Sequence, residues 1–348
     1  NTRCLSDWSS DVGLSDRKIE AHLRHPRFTL HKVTCIDGAE LERLEKSLEN
    51  ADVLINLAAI CNPSQYNTKP LDVIRSNLFD SYPIVELCAR ANKWLVYFST
   101  SETYGRTLSS YMKTDSNDPD LYELKEDETP MIMGPVRNQR WTYACAKQMM
   151  ERIIYAHHST TGMPFTVVRP LNFFGPRMDH MPRSGEEGAP RVLVCFMSAL
   201  LKREPMKLVD GGHARRTIVA IEEAVEAIEL MLDRPEKSKN RAFNIGNRAN
   251  EVTMRQLAET MRDVYAEITG DPSYRNHPIV DVSSADFYGK GYEDCDRRTP
   301  DVSRAKVFLG LEARSNLRDF LLVTTPGYPA RFHGSSQHQD DAHADAAA

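Results

Sequence analysis

The sequence has no paired cysteine motif, no run of basic residues and no long apolar stretch. Its seven cysteines are scattered without a CxxC spacing, which argues against a disulfide framework and a zinc site and favours a reducing, cytoplasmic location. The net charge of −5 makes nucleic acid or an anionic membrane surface a poor partner. No stretch reaches the ~18 apolar residues of a membrane span. We therefore expect a globular protein without metal, nucleic acid or membrane as its main partner.

The first part of the chain alternates between apolar runs of strand length and segments with helical periodicity. Strands are predicted at 28–35, 52–59, 93–100 and 164–170, and helices at 39–51, 70–92 and 140–157. This alternation indicates right-handed βαβ units, so the fold class is α/β with a doubly wound parallel sheet. In such sheets ligands bind at the carboxyl ends of the strands.

The alternation loosens after residue 170, where we place a boundary between two lobes. Helices are predicted at 189–205, 221–235 and 253–270, the last ended by Gly270, and strands at 206–212 and 241–247. Some of these elements are expected to rejoin the first sheet. The predicted domains are therefore residues 1–170, a smaller lobe at 171–322, and a low-complexity tail at 323–348 that we expect to be disordered.

Two side chains of the helix predicted at 140–157 could carry chemistry. Tyr143 and Lys147 are four residues apart, so they share one face of the helix. An ammonium beside a phenol can lower the phenol pKa and turn it into a base. A solvated Tyr–Lys pair is the alternative, and the pair alone does not decide between the two.

The neighbouring motifs make a catalytic pair the better interpretation. The segment "FSTSETYG" (98–105) places hydroxyls at the end of a predicted buried strand, and "VVRPLNFFGPR" (167–177) follows the helix. With "LINLAAICNPSQYNTKPLDVIRSN", "QRWTYACAKQ" and "DVSSADFYGKGYEDCDRRTPD", the sequence resembles the UDP-apiose/UDP-xylose synthase family of the extended short-chain dehydrogenase/reductases. The resemblance covers roughly residues 1–320. It implies a Rossmann-type doubly wound sheet that binds NAD.

The reaction that the resemblance implies begins with UDP-glucuronate. Tyr143 would act as the base for oxidation at C4, Thr100 would polarise the C4 oxygen, and Lys147 would hold the nicotinamide ribose and tune Tyr143. The resulting β-keto acid loses carbon dioxide, and the 4-keto-pentose becomes UDP-xylose or, after ring contraction, UDP-apiose. Two alternatives stay open: an enzyme that stops at UDP-4-keto-pentose or UDP-xylose, and a truncated, non-catalytic UDP-sugar-binding relative.

The resemblance also implies residues around the substrate carboxylate and the nucleotide. Glu102 and Arg298 are expected at the carboxylate, although Arg298 could instead pair with Asp294 or Asp296, and Glu102 could be a helix-start carboxylate. The residues expected to grip UDP are Asn172, Arg191, Lys207, Arg216 and Tyr292. The alternative is that Lys207 and Arg216 are solvated charges.

The cofactor site shows the largest departure from the family pattern. Asp7 and Asp37 match the adenosine side, and Leu57, Ala58, Ala59 and Asn77 are the other cofactor residues implied, together with Tyr143 and Lys147. The glycine-rich GxxGxxG loop that holds the NAD pyrophosphate is not found in the sequence. The first βα unit therefore looks missing, and we expect this chain to bind NAD weakly and to be inactive.

Three further expectations concern thiols, the end of the fold and assembly. Ser101 stands where the plant enzymes carry a cysteine, while Cys145 matches a second cysteine implied in ring contraction, so only one thiol of the pair is expected. Past Phe320 the family continues with a helix that we expect to be altered or missing here. Relatives form homodimers through helices, and the helices at 70–92 and 140–157 are candidates for that contact.

Overall fold

A computed structural model describes residues 2–5, 22–31, 38–114, 117–176, 178, 191–289, 293 and 295–327. The strands in this part of the chain are β1 (Thr2–Leu5), β2 (Phe28–His31), β3 (Val53–Asn56), β4 (Trp94–Phe98), β5 (Glu123–Leu124), β6 (Phe165–Pro170), β7 (Phe173–Phe174), β8 (Met206–Val209), β9 (Arg215–Thr217), β10 (Val219–Ala220), β11 (Arg241–Ile245), β12 (Glu251–Thr253), β13 (Ile279–Val282) and β14 (Arg297–Pro300).

The α-helices of the described residues are α1 (Gly38–Glu49), α2 (Pro63–Thr68), α3 (Pro70–Ile74), α4 (Tyr82–Arg90), α5 (Leu108–Met112), α6 (Pro119–Tyr122), α7 (Thr142–Thr161), α8 (Val192–Lys202), α9 (Ile221–Asp233), α10 (Pro235–Ser238), α11 (Met254–Thr269), α12 (Ser284–Tyr288) and α13 (Leu317–Thr324). Two further segments, Arg75–Phe79 and Ala305–Leu309, form single π-helical turns.

The central sheet consists of four parallel strands in the order β11–β6–β4–β3. The apolar sequences of β4 and β6 are buried along nearly their whole length, as expected for strands covered on both faces. β11 lies beyond residue 170 and pairs with β6, which confirms that later elements rejoin the first sheet. The predicted α/β class with a parallel sheet is confirmed.

Helices cover both faces of this sheet. On one face α1, α4 and α7 bury Leu48, Val85 and Met150 against the strands. On the other face α9 and the Ala305–Leu309 turn bury Met231 and Leu309 against the strands. Because the four strands are parallel, the residues that follow each strand lie at the same edge of the sheet.

A second hydrophobic core consists of residues that follow residue 170 in the sequence, mainly on α8, α11, α13 and β8. Helix α11 begins at a capping box, in which the Thr253 hydroxyl accepts from the Gln256 N–H at 3.0 Å and the Gln256 side chain accepts from the Thr253 N–H at 2.9 Å. It ends at Gly270 with φ +68°, the left-handed conformation that favours glycine. The predicted start and end of this helix are confirmed.

The helix predicted at 70–92 is not continuous. The structure divides it into α3, the π-helical turn Arg75–Phe79, and α4. Pro83 lies in the first turn of α4, and because proline has no N–H it cannot bond the carbonyl four residues earlier. The interpretation of this segment as a single long helix is therefore wrong.

The expected loss of helical structure past Phe320 is also wrong for the residues that directly follow. Helix α13 runs to Thr324, and Leu317, Phe320, Leu321 and Thr324 are all buried, at the spacing of one helix face. The Asn316 side chain accepts from the Arg318 N–H at 2.9 Å and caps the helix. The predicted tail boundary at residue 323 thus falls inside α13, and residues 328–348 lie outside the described residues.

Candidate active site

A short turn after β4 carries three of the predicted catalytic residues. Thr100 ends the extended strand and its hydroxyl accepts from the Glu102 N–H at 3.1 Å, which starts the 3-10 turn Ser101–Tyr104. Gly105 follows with φ +68°, and a Cβ there would lie 2.0 Å from the Ile132 carbonyl oxygen. Only glycine fits this position, so the turn is held closely against the 132 segment.

The structure brings Tyr143 and Lys147 to the same turn. Both side chains lie on the buried face of α7, and the Tyr143 phenol interacts with the Thr100 hydroxyl. The Tyr143 ring stacks on Tyr66 with a centroid distance of 5.2 Å. Lys147 Nζ donates to the Phe98 carbonyl at 2.9 Å. The alternative of a solvated Tyr–Lys pair is therefore wrong, because both side chains are buried.

Burial controls the protonation of this pair. Burial, followed by electrostatic interactions with Cys61 and Glu102, raises the pKa of the Tyr143 phenol well above its usual range, and the interaction with the Thr100 hydroxyl acts in the opposite direction. Burial lowers the pKa of Lys147 to about 8. Among the described side chains the phenol is thus favoured in its neutral form, and an added positive charge is needed to make it a base.

Glu102 is the centre of a buried ion cluster beside Tyr143. Arg140 forms two bonds with its carboxylate, at 2.5 and 2.9 Å, and Arg298 donates to it at 3.0 Å. Burial alone would raise the pKa of Glu102, but the two guanidinium groups outweigh it and hold the pKa well below its usual range. Arg298 therefore pairs with Glu102, whereas Asp294, one of the two alternatives, lies outside the described residues.

Sequence reasoning missed Arg140. Its side chain is almost fully buried and lies over the rings of Tyr66 and Trp141, at 5.6 and 5.3 Å. The available signal was its position three residues before Tyr143. That spacing indicates a role for Arg140 only when it is known that Glu102 and Arg298 lie next to each other in the fold.

Two cysteines bear on the candidate site. Cys145, which the sequence predicts there, is exposed, while Tyr143 and Lys147 on the same helix are buried, because positions two apart point to different sides of a helix. Cys61, in the loop after β3, is also exposed and interacts electrostatically with Tyr66, Tyr143 and Lys147. No feature of the sequence singles out Cys61, and the role expected for Cys145 stays a prediction.

The residues predicted to grip UDP are only partly brought together. Arg216 is buried on β9 and is the register partner of Arg298 on β14, and its guanidinium donates to the Cys295 carbonyl at 2.8 Å. Asn172 has φ +44° and donates to the Thr217 carbonyl at 2.9 Å. These residues line the carboxyl end of β6 and the neighbouring β9–β14 pair.

The other residues predicted to bind UDP lie on different elements or outside the described residues. Arg191 directly precedes α8 and donates to the Met178 carbonyl at 3.0 Å. Lys207 is exposed on β8, whose partner strand is β13. Tyr292 lies outside the described residues.

The predicted cofactor residues follow β3. The Asn56 side chain accepts from the Ala58 N–H at 3.1 Å, which turns the chain and leaves Leu57 63% exposed beside Ala58 and Ala59. Asn77 is buried and donates to the Ile60 and Val73 carbonyls at 3.0 and 2.9 Å. It therefore holds this loop in place. Asp7 and Asp37 lie outside the described residues.

The comparisons with known proteins agree with this geometry. Residues 7–246 match the model of the NAD dependent epimerase/dehydratase family, and the chain belongs to that family. Within it, the chain is similar to the UDP-D-apiose/UDP-D-xylose synthases. It is 49% identical over 305 residues to the one from Oryza sativa subsp. japonica, covering 86% of this chain and 76% of that protein. It is 50% identical over 303 residues to synthase 2 of Arabidopsis thaliana, covering 86% and 77%.

Solved structures show the same fold. The PbgP3 protein from Burkholderia pseudomallei aligns with a TM-score of 0.74 at 25% identity, covering 94% of this chain and 90% of that one. The UDP-glucuronic acid 4-epimerase from Bacillus cereus, solved with UDP-glucuronic acid and NAD, aligns with a TM-score of 0.72 at 16% identity and the same coverage. The Rossmann-type fold and the family resemblance are confirmed. No helix of the described residues is long and apolar enough to cross a membrane.

Proposed function

We propose that the protein oxidises UDP-glucuronate at C4 with NAD and decarboxylates the product, forming UDP-apiose and/or UDP-xylose through a UDP-4-keto-pentose. One observation carries this proposal: Tyr143 interacts with both the Thr100 hydroxyl and Glu102, and Arg298 donates to the Glu102 carboxylate at 3.0 Å. A base for a hydroxyl and a cation for a carboxylate therefore stand next to each other. The identity of the curated relatives supports the same substrate.

In this proposal each step uses a side chain of the described site. The Tyr143 phenol takes the proton of the C4 hydroxyl, and Thr100 fixes that oxygen through its hydroxyl. Arg298 binds the substrate carboxylate, for which a guanidinium is well suited. Once C4 is a ketone, the carboxylate is β to a carbonyl, and loss of carbon dioxide leaves its electron pair in an enolate. Glu102 then limits the positive charge around that carboxylate.

The residues that follow β3 and β4 fit the nicotinamide half of NAD. Leu57, Ala58 and Ala59 offer small or apolar surface at the carboxyl end of β3, and Lys147 offers an ammonium for ribose hydroxyls. When bound, NAD accepts hydride and its positive ring favours the ionised Tyr143 phenol. This supplies the positive charge that the phenol's own surroundings lack.

The product distinguishes the proposal from its alternatives. The chain, at millimolar NAD, is incubated with UDP-glucuronate, and products are followed by NMR. Apiose signals with release of carbon dioxide support ring contraction, for which the family resemblance implies Cys145 as a thiol. UDP-xylose or the ketone alone supports the alternative favoured by Ser101, which puts a hydroxyl at the second thiol position. UDP binding without any conversion would leave the non-catalytic alternative.

We further propose that the protein forms a homodimer in the cytoplasm. Leu71 and Phe79 are 77% and 65% exposed on the α3–π segment, and Met149 is 48% exposed on the adjoining α7. These exposed apolar side chains lie on elements that pack against each other, and we propose that they form the dimer contact. The scattered cysteines, which show no CxxC spacing, support a reducing compartment.

Replacing Phe79 by glutamate is expected to convert the dimer to a monomer in sedimentation experiments. A buried, unpaired carboxylate at the interface costs several kcal/mol. Val307→Glu is the matched control, because Val307 is 74% exposed on the turn that packs against the opposite face of the sheet. A Phe79→Glu protein that sediments as the parent does would exclude this surface.

A further inference from the structure

A buried ion pair behind the site is not used by any role assigned so far. Glu151 and Arg169 are each 3% exposed. Arg169 binds the Glu151 carboxylate through two bonds, from Nη2 at 2.6 Å and from Nε at 3.2 Å. The Ser99 hydroxyl donates to the same carboxylate. Burying two charges is costly unless their partners are well placed, so this pair calls for a function beyond packing.

Glu151 and Lys147 bind consecutive residues at the end of β4. They lie one turn apart on the buried face of α7. Lys147 donates to the Phe98 carbonyl at 2.9 Å, and the next residue, Ser99, donates to Glu151. These two contacts fix the register of α7 against the strand that leads directly to Thr100.

Arg169 reaches the other end of the same catalytic turn. Its Nη1 donates to the Tyr104 hydroxyl and to the Glu126 carbonyl, both at 2.8 Å. Tyr104 closes the turn that begins after Thr100, and its hydroxyl donates to Asn244 on β11 at 2.8 Å. The buried Arg169 guanidinium therefore connects α7, through Glu151, to the Ser101–Tyr104 turn, and Tyr104 connects this turn to β11.

We propose that Glu151 and Arg169 are positioning residues for the C4 oxidation: Glu151 keeps Lys147 an ammonium at the end of β4, and Arg169 holds the Ser101–Tyr104 turn against α7. This rests on the proposed function for its catalytic consequence, but the electrostatic link to Lys147 is a property of the fold alone.

The charges around Lys147 determine in which direction each substitution shifts its pKa. Burial lowers its pKa to about 8, and Cys61 and Glu151 act in the opposite direction. The Tyr97 ring of β4 lies 4.7 Å from the Lys147 Nζ, Tyr143 precedes Lys147 by one turn on α7, and Arg169 binds the Glu151 carboxylate. Removing the Glu151 charge therefore lowers the Lys147 pKa, whereas removing the Arg169 charge leaves Glu151 uncompensated and raises it.

Two single substitutions test this proposal, because they are expected to shift the Lys147 pKa in opposite directions. In Glu151→Gln the pKa of Lys147 is expected to fall by about one unit, and in Arg169→Gln to rise by about one unit. The measurement is the ¹³Cε shift of Lys147 against pH by NMR, with the resonance assigned by its loss in Lys147→Arg. The high-pH limb of kcat/KM should move in the same direction as each titration.

Structural damage alone would not move the two variants in opposite directions. An unchanged titration, or shifts of the same sign, in folded variants would overturn the proposal, and either single variant suffices if the other fails to fold. The double variant, which removes both charges, should titrate as the parent does. Because the NMR titration needs no substrate, shifts as expected without turnover of UDP-glucuronate would overturn only the proposed reaction.

Discussion

Replacing Tyr143 by phenylalanine is expected to lower kcat for C4 oxidation by about 10² to 10⁴, the usual contribution of a positioned general base. The phenol interacts with the Thr100 hydroxyl, and its ring stacks on Tyr66. Phenylalanine keeps the ring contact and removes only the hydroxyl. Affinity for UDP-glucuronate should therefore stay nearly constant, and the loss should appear in the rate of NADH formation.

Tyr155→Phe is the matched control for this prediction. Tyr155 lies on the same helix, is 36% exposed, and packs its ring on Phe165. The same hydroxyl is removed, but at a distance from the Thr100 turn, so the rate should stay within about twofold of the parent. A Tyr143→Phe protein that keeps more than a tenth of the parent rate would refute Tyr143 as the base.

The parts of the fold that follow from local chemistry were accessible from the sequence. Strands β4 and β6 are continuous apolar runs, and α11 carries its own cap and its own stop. The break between α3 and α4 was not recognised, because apolar periodicity continues through it while Pro83 interrupts the hydrogen bonds. Helix α13 was missed because two prolines in the following segment masked four buried positions at helical spacing.

The candidate site shows a similar division. Thr100, Glu102, Tyr143 and Lys147 lie on two contiguous segments, so their order along the chain already indicates a site. Arg140 matters through its bonds to Glu102, which lies 38 positions earlier in the chain. The role of Cys145 rests on similarity of position along the chain, and it stays a prediction because Cys145 is exposed on α7.

Arg298→Gln is expected to weaken binding of UDP-glucuronate by about a hundredfold or more, while binding of UDP-glucose changes little. The two ligands share the nucleotide and differ in the carboxylate, so the difference isolates the group that Arg298 is proposed to bind. Truncating one partner of a buried charge pair costs 2–5 kcal/mol, and a hundredfold corresponds to about 2.7 kcal/mol. Calorimetry with both ligands provides the measurement.

The fold should tolerate this substitution because Arg140 still holds Glu102 through two bonds. Arg297→Gln is the matched control: Arg297 is the adjacent residue on β14 and forms an ion pair with Glu251 at 2.7 Å instead. It should leave the preference for UDP-glucuronate over UDP-glucose unchanged. If Arg298→Gln weakens both ligands equally, Arg298 acts by holding the Glu102 turn rather than by binding the carboxylate, and the assignment of the carboxylate site fails.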